Sequence, residues 1–338
     1  MPSGIIHSMS GGSLPRVSLL ALGGTVAMQA SERGAVPELS AEQVVESVPA
    51  LADVAELRCA DVRQLPGAHV SLDDVIALAE RIEEEFSDGV RGVVVTQGTD
   101  TIEEVAFALD LLVESPGPVV VTGAMRPPQL PGADGPANVL AAVQAAASPL
   151  LQDIGCVVVM ADEIHAARFV LKQHTASPAA FASPLTGRIG WIAEGRPRVA
   201  LRPPRTPRLQ LPDGVRPARV ALVAAAIGDD GGLVRAAARD GYDALVVETL
   251  GGGHLPTSML DAIDGALQSM PVVMASRTQI GEVLRSTYGF PGSERDLLDR
   301  GLLSAGWLNS RKARILLSLL LAAGRDVDAG FAEYLRVG

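Results

Sequence analysis

Short apolar runs alternate along this chain with segments whose apolar residues recur at helical spacing. The first half contains five runs of strand length, at residues 16–22, 54–62, 90–96, 118–122 and 154–160. The run at 90–96 is almost continuous, which is typical of a parallel strand covered on both faces. This order predicts βαβ units and an α/β fold with a mostly parallel, helix-covered sheet.

Helical periodicity is clearest in residues 71–86, where apolar side chains lie three and four positions apart. Further helices are predicted at 102–112 and 136–147. Ser40, followed three positions later by Gln43, fits a capping box that opens a helix reaching about residue 48.

Residues 201–219, rich in proline and arginine and without periodicity, interrupt this rhythm and predict an interdomain linker. The alternation then resumes, with strands at 220–225, 244–247 and 272–275. Helices are expected at 232–238, 257–267 and 311–323. We therefore divide the chain into a lead-in (1–15), a large domain (16–200), the linker (201–219) and a smaller domain (220–338).

Composition excludes several classes of partner. The formal net charge is −11 and basic residues do not cluster, which argues against nucleic acid. The apolar runs are far shorter than the ~18–20 residues of a membrane span. Residues 1–16 lack the basic start and long apolar stretch of a secretory signal, so we expect a cytoplasmic protein. Cys59 and Cys156 have apolar neighbours and are expected to be buried thiols, although a single disulfide stays open.

The loop after the first strand contains Gly23, Gly24 and Thr25. In open α/β sheets, ligands bind beyond the carboxyl ends of the strands. Two glycines let backbone N–H groups approach a ligand, but they also suit an ordinary turn. The loop lacks the Gly-Lys-Ser/Thr ending of a phosphate loop.

Three small hydroxyl residues and a carboxylate lie at the end of the strand at 90–96, in the order Thr96, Thr99, Asp100 and Thr101. Helix capping explains one hydroxyl, and Glu103 and Glu104 suit the positive end of a helix. Capping does not require three hydroxyls around an aspartate. The segments 122–127 and 133–136, which follow the next strand, are expected to support this site.

Lysine is scarce here: of 28 basic residues only Lys172 and Lys312 are lysines. A lysine whose stem lies along apolar surface is the ordinary explanation for Lys172. However, a protein that uses arginine for nearly every other cation favours a role for Lys172 that needs a deprotonatable group. Lys312, in the terminal helix, is expected to be a solvated charge. The five histidines form no H-x-x-x-H pair, so a zinc site has little support.

Leu-Gly-Gly-Thr at 22–25 together with Thr-Gln-Gly-Thr-Asp-Thr at 96–101 resembles the two signature motifs of the bacterial-type L-asparaginase family. The segments 122–127 and 133–136, Lys172 and the Lys-Ala-Arg-Ile-Leu-Leu stretch at 312–317 also match that pattern. The resemblance extends over about residues 16–325.

The resemblance implies a large N-terminal flavodoxin/Rossmann-like parallel-sheet domain, a smaller C-terminal α/β domain, and homodimers or homotetramers with shared active sites. It also implies hydrolysis of the side-chain amide of L-asparagine, or a related small-molecule amide, through an acyl-threonine and without metal or cofactor. Thr25 would be the nucleophile, while Thr99, Asp100 and Lys172 would relay protons and activate water. Backbone N–H groups around Gly98 and Thr99 could stabilise the oxyanion.

The sequence departs from the family where free asparagine is recognised. Residues 31–37 lack the tyrosine of the family's lid, and Gly67-Ala68 replace a Ser-Gln pair that grips the substrate carboxylate. Losing two such hydrogen bonds costs about 1.5–3 kcal/mol each. Gly67 and Ala68 are expected to leave space for a different or larger amide. Alternatively, the site binds asparagine weakly through His69, Gln97 and Arg63. The expected substrate-binding positions are Gly67, Ala68, Gly98, Thr99, Asp100 and, from the partner subunit, Glu294 or alternatively Glu282.

Three functions remain to be distinguished. The first is an asparaginase-like amidohydrolase, and the second is a catalytically weak relative that only binds an amino acid or a partner. An oxidoreductase on a dinucleotide fold is disfavoured, because no Gly-x-Gly-x-x-Gly follows a strand in a suitable unit.

Overall fold

Two main sheets, two short two-stranded sheets and the helices that pack on the main sheets make up the architecture of the described residues. The computed structural model describes residues 13–24, 28–31, 34–37 and 39–336. The strands of these residues, in chain order, are β1 (Arg16–Ala21), β2 (Met28–Ser31), β3 (Gly34–Pro37), β4 (Glu56–Asp61), β5 (Gly92–Thr96), β6 (Val119–Thr122), β7 (Cys156–Met160), β8 (Glu163–Ala166), β9 (Leu171–Lys172), β10 (Phe181–Ala182), β11 (Gly190–Ala193), β12 (Arg196–Val199), β13 (Val220–Ala224), β14 (Ala244–Thr249), β15 (Val272–Ser276) and β16 (Leu303–Ser304).

Seven helices of the described residues lie close to predicted segments, whereas the helix at 294–299 and the last helix were not predicted. The helices are α1 (Ala41–Glu46), α2 (Leu72–Ser87), α3 (Ile102–Leu112), α4 (Gly135–Ala147), α5 (Gly232–Arg239), α6 (Leu260–Leu267), α7 (Glu294–Asp299), α8 (Ser310–Ala322) and α9 (Val327–Tyr334). The capping box predicted at Ser40 is confirmed, and Ser71 forms a second one at the start of α2. In each case the serine hydroxyl accepts from an otherwise unpaired N–H group of the first turn.

The larger sheet has the strand order β12-β11-β8-β7-β6-β5-β1-β4. Its parallel part, β4-β1-β5-β6-β7, corresponds to the 2-1-3-4-5 order of flavodoxin-like folds. The chain reverses its winding direction between β1 and β5, so the crevice at their carboxyl ends is the expected ligand site. Three antiparallel strands, β8, β11 and β12, extend one edge and were not predicted.

The smaller sheet is entirely parallel, in the order β13-β14-β15-β16. The predicted fold class is confirmed: a large domain with a mostly parallel sheet precedes a smaller C-terminal α/β domain. One apolar cluster joins the two sheets, because it includes Leu109 of α3, Val246 of β14 and Leu317 of α8.

Residues 200–219 contain no helix or strand, but they pack closely against the large domain. Leu209 donates its N–H to the carbonyl of Leu111 at 2.9 Å, and Arg205 donates to the carbonyls of Glu114 and Ser115 at 2.8 and 2.7 Å. The segment predicted as a linker is thus anchored along its length.

Cys59 and Cys156 are both free thiols, the first half-buried and the second buried. Burial raises the pKa of the Cys156 thiol well above its ordinary value. Within the described residues, no helix is both long and apolar enough to cross a membrane.

Candidate active site

Three backbone segments meet beyond the carboxyl ends of β1, β4 and β5. Gly24 has a φ of +85°, and a Cβ at that position would collide with the backbone of Gly98. A Cβ at Gly67 would lie 2.7 Å from the carbonyl oxygen of Gly98. Glycine is required at these positions because only a residue without a side chain permits such close approach.

Thr99, Asp100 and Lys172, three members of the predicted reaction group, lie together beside this contact; the name reaction group refers to these three below. The Nζ atom of Lys172 lies 2.9 Å from Oγ1 of Thr99 and 2.8 Å from Oδ1 of Asp100. Thr99 is buried, and the side chain of Lys172 is 17% exposed while that of Asp100 is 67% exposed. A mostly covered ammonium thus joins a buried hydroxyl to a carboxylate at the open side of the site.

Local structure explains why these three side chains converge. Thr99 and Asp100 occupy the short connection between β5 and α3, at the topological switch point of the sheet. Lys172 ends β9 and pairs with Phe181 of β10. Its backbone N–H donates to Oε2 of Glu103 at 2.6 Å, so the first turn of α3 holds the lysine strand directly.

Thr101 occupies the N-cap position of α3, yet its side chain does not cap the helix. Its hydroxyl instead donates to the carbonyl of Gly67 at 2.8 Å. Capping therefore does not explain this hydroxyl, which ties the segment after β4 to the segment after β5.

The structure corrects the expectation that Gly67 leaves space for a larger substrate. Gly67 is buried, and the backbone of Gly98 already fills the position that a side chain would take. Ala68, by contrast, is exposed. The sequence could not show this, because the contact joins residues 31 positions apart whose backbones touch only in the folded chain.

The other groups considered for binding differ in accessibility. Arg63 forms an ion pair with Asp74 at 3.1 Å. Gln97 is fully buried, and its amide nitrogen lies 3.4 Å from Oγ1 of Thr101. His69 is exposed. Of the three, His69 alone presents an exposed side chain that is not in a described ion pair.

The segment 122–136, expected to support the site, is held in place by hydrogen bonds to two polar side chains. The carboxylate of Asp134 accepts from the backbone N–H groups of Met125 and Arg126, at 3.0 and 2.9 Å. Asn138 donates to the carbonyl of Gly123 at 2.9 Å. These bonds fix the turn after β6.

Glu294 is fully buried in the smaller domain. It accepts from the backbone N–H groups of Thr287 and Tyr288, both at 2.7 Å, and lies 3.2 Å from Nε2 of His254. Although burial opposes its charge, these donors lower the pKa of Glu294 below its ordinary value. Its predicted contribution to a neighbouring site stays a prediction, and the alternative, Glu282, is exposed.

Lys312 is not the solvated charge that was expected. It is 1% exposed, and its ammonium donates to the carbonyls of Ala167, Arg168 and Val170, at 2.9, 3.1 and 2.6 Å. Three carbonyls match the three donors of an ammonium, which allows the cation to be buried. The apolar periodicity of α8 carries no sign of these distant acceptors.

Sequence reasoning also missed a connection through Glu103. Its second carboxylate oxygen accepts from Nε of Arg311 at 2.7 Å. The sequence placed Glu103 only at the positive end of a helix. A partner 208 positions away leaves no local signal.

Thr25, the predicted nucleophile, lies outside the described residues, and so do residues 1–12 of the lead-in. In the part of the chain that the structure describes, no cluster of three or more histidine, cysteine, aspartate or glutamate side chains is arranged to hold a metal ion.

Comparison with known proteins identifies the family to which this chain belongs. Two family models match the chain: Asparaginase, N-terminal, over residues 16–205, and Glutaminase/Asparaginase C-terminal domain, over residues 219–330. The chain belongs to the asparaginase family.

Individual asparaginases are similar over nearly the whole chain. L-asparaginase of Bacillus licheniformis is 36% identical over 92% of this chain and 97% of the relative. L-asparaginase 2 of Escherichia coli K12 is 32% identical, covering 93% and 91%. The crystal structure of a probable cytoplasmic L-asparaginase from Campylobacter jejuni matches with a TM-score of 0.86 and 29% identity, covering 95% of this chain and all of the other. The protein is an asparaginase-family amidohydrolase, and the alternative of a binding-only relative is not favoured.

Proposed function

We propose that this asparaginase hydrolyses the side-chain amide of L-asparagine, or of a closely related small amide, to the acid and ammonia. The observation that carries the proposal is the Lys172 ammonium, which bonds both Thr99 and Asp100 at the switch point of the sheet. The names of the relatives support asparagine as the substrate.

In the proposed reaction, the hydroxyl oxygen of Thr25 attacks the amide carbon and its proton leaves to a base. Threonine needs such a base because its hydroxyl is a poor nucleophile. Backbone N–H groups near Gly98 and Thr99 stabilise the oxyanion. The C–N bond then breaks, ammonia leaves with the transferred proton, and an acyl-threonine ester remains.

Water completes the cycle by attacking the ester carbon. We assign its activation to Thr99, Asp100 and Lys172, because a lysine can take and return a proton whereas arginine stays charged. The ester oxygen leaves as the Thr25 hydroxyl, and the acid product is released.

Substrate affinity is proposed to be weaker than in relatives that carry the Ser-Gln pair. Gly67 and Ala68 offer no side-chain donor to the substrate carboxylate, and Gly67 offers no extra room either. The exposed imidazole of His69 is the proposed substitute donor.

We propose a homodimer or homotetramer in which the neighbouring subunit completes each site with an acidic side chain. Of the two candidates, we choose Glu282, which is exposed, because Glu294 is fully buried. Within one chain, the amide nitrogen of Gln173 donates to Oε1 of Gln279 at 3.2 Å, so the segment 277–290 also lies near the reaction group of its own subunit. That segment exposes Ile280, Tyr288 and Phe290, an apolar surface suited to a partner. A cytoplasmic location is proposed from the Campylobacter relative and the free thiols.

Ammonia release from a panel of amides tests this function. The panel contains L-asparagine, L-glutamine, D-asparagine and an N-acylated asparagine, each with the wild-type protein and with Thr25→Ala. We expect release from L-asparagine with a raised KM, and none from Thr25→Ala. Acid quenching and peptide mass mapping should find the acyl group on the peptide that contains Thr25. Acylation of the Thr99 peptide instead would exchange the roles of the two threonines.

A further inference from the structure

The first turn of α8 reaches from the smaller domain to the segment that carries the proposed proton relay. Lys312 donates to the carbonyls of Ala167, Arg168 and Val170, which lie between β8 and β9. The ring of Phe107 lies 5.7 Å from the same ammonium. A buried cation with every donor used is a strong and directional tether, because any shift leaves a donor unpaired.

The neighbouring side chain of α8 forms a second tether at the other end of that segment. Arg311 donates to Oε1 of Glu103 at 2.7 Å, while Oε2 of Glu103 accepts the N–H of Lys172 at 2.6 Å. The carboxylate of Glu103 is 5% exposed. One buried carboxylate therefore links α8 to the backbone of Lys172.

We propose that Arg311 and Lys312 are positioning residues, which hold residues 167–172 so that the Lys172 ammonium stays in reach of Thr99 and Asp100. This inference rests on the proposed function of Lys172 as a proton relay. Neither residue touches the reacting atoms. The smaller domain thus contributes to catalysis through the backbone that carries the lysine.

Arg311 acts through its positive charge as well as through the length of its side chain. Without it, Glu103 becomes a buried carboxylate without its cationic partner, which is costly. Glu103 would then rotate or take up a proton, and its bond to the Lys172 backbone would weaken. A displacement of about 1 Å can lower catalytic rates by roughly 100-fold.

The test compares matched variants of the full-length protein by the kcat and KM of ammonia release from L-asparagine. Arg311→Gln should lose about 10- to 100-fold in kcat with KM changed by less than about threefold, and Arg311→Lys should recover part of the loss. Arg314→Gln is the control, because Arg314 lies on the same helix and donates to the carbonyl of Val220 at 2.9 Å, in the second sheet. It should keep kcat within about twofold of the wild type.

Folding of each variant is checked by urea unfolding. If Arg311→Gln does not fold, Glu103→Gln, which keeps shape and removes charge, should show the same kcat loss. The inference is overturned if the folded variant at 311 or 103 keeps wild-type kcat, or if Arg314→Gln loses as much. The proposed function fails separately, if wild type releases no ammonia or Lys172→Arg remains fully active.

Discussion

The role of a residue in this asparaginase depends on the groups that it contacts more than on its chemical type. Its only two lysines show this most clearly. The mostly covered ammonium of Lys172 bonds a hydroxyl and a carboxylate, whereas that of Lys312 is buried and bonds three carbonyls. The scarcity of lysine drew attention to Lys172, but it gave no hint that Lys312 is buried.

Lys312 should make stability depend on pH. Burial lowers its pKa from 10.5 to about 7. Well below pH 7 both the folded and the unfolded state carry the proton, so stability does not depend on pH there. Between pH 7 and 10.5 the unfolded chain binds more protons than the folded one, and stability therefore rises with pH. We expect the free energy of unfolding of the wild type, minus that of Lys312→Met, to rise by about 2 kcal/mol from pH 7 to 9. Urea unfolding at each pH measures it, and a difference that stays constant would contradict the assignment.

At the scale of elements, parallel strands bring distant residues to one edge. The loop after β5 meets the segments that follow β1 and β4, because loops after parallel strands open on the same side of a sheet. Lys172 comes instead from the antiparallel pair β9 and β10, and it contacts Thr99 from 73 positions away. The expectation that these two side chains act together came from the family resemblance and stays a prediction. The capping box at Ser40 was recognised from the spacing of its residues. The capping box at Ser71 lies at the start of a helix that was predicted from its periodicity.

Other elements left no usable signal in the sequence. Strands β8, β11 and β12 are four residues each and mix polar with apolar side chains, so neither period stands out. The burial of Gly67 depends on the backbone of Gly98, and the contact of Glu103 depends on Arg311. Such tertiary contacts are invisible to periodicity.

The contact between the loops after β4 and β5 can be tested at Gly67. Gly67→Ala places a Cβ 2.7 Å from the carbonyl oxygen of Gly98, so the two segments must separate. We expect a loss of about 1–3 kcal/mol in stability and a lower kcat. Ala68→Ser, at the exposed neighbouring position, is the control and should change stability by less than about 0.5 kcal/mol. Equal stability of Gly67→Ala and wild type would show that the backbones are not in tight contact.

At the scale of the whole molecule, the two domains share one apolar core and the anchored segment 200–219. The reaction group belongs to the large domain, while α8 of the smaller domain holds the strand of Lys172. The segment 277–290, beside the same site, presents exposed apolar side chains. These exposed apolar side chains support the proposed assembly.

Mixing two inactive variants tests whether sites are shared. Lys172→Met should inactivate the large-domain part of a site, and Glu282→Ala the part given by the partner. In a symmetric dimer, random mixing leaves about one site in four intact, so the co-expressed pair should regain about a quarter of wild-type ammonia release. Activity equal to the average of the separate variants would show that each subunit uses its own Glu282 or none.

In the proposed mechanism, the Lys172 ammonium, bonded to Thr99 and Asp100, relays protons during amide hydrolysis. Measuring the kcat of ammonia release from L-asparagine by Lys172→Arg beside wild type tests this role. Arginine keeps the charge and can still bond both partners, but it cannot give up its proton. We expect a folded variant whose kcat is lower by about 100-fold or more. A folded Lys172→Arg protein with wild-type kcat would contradict it.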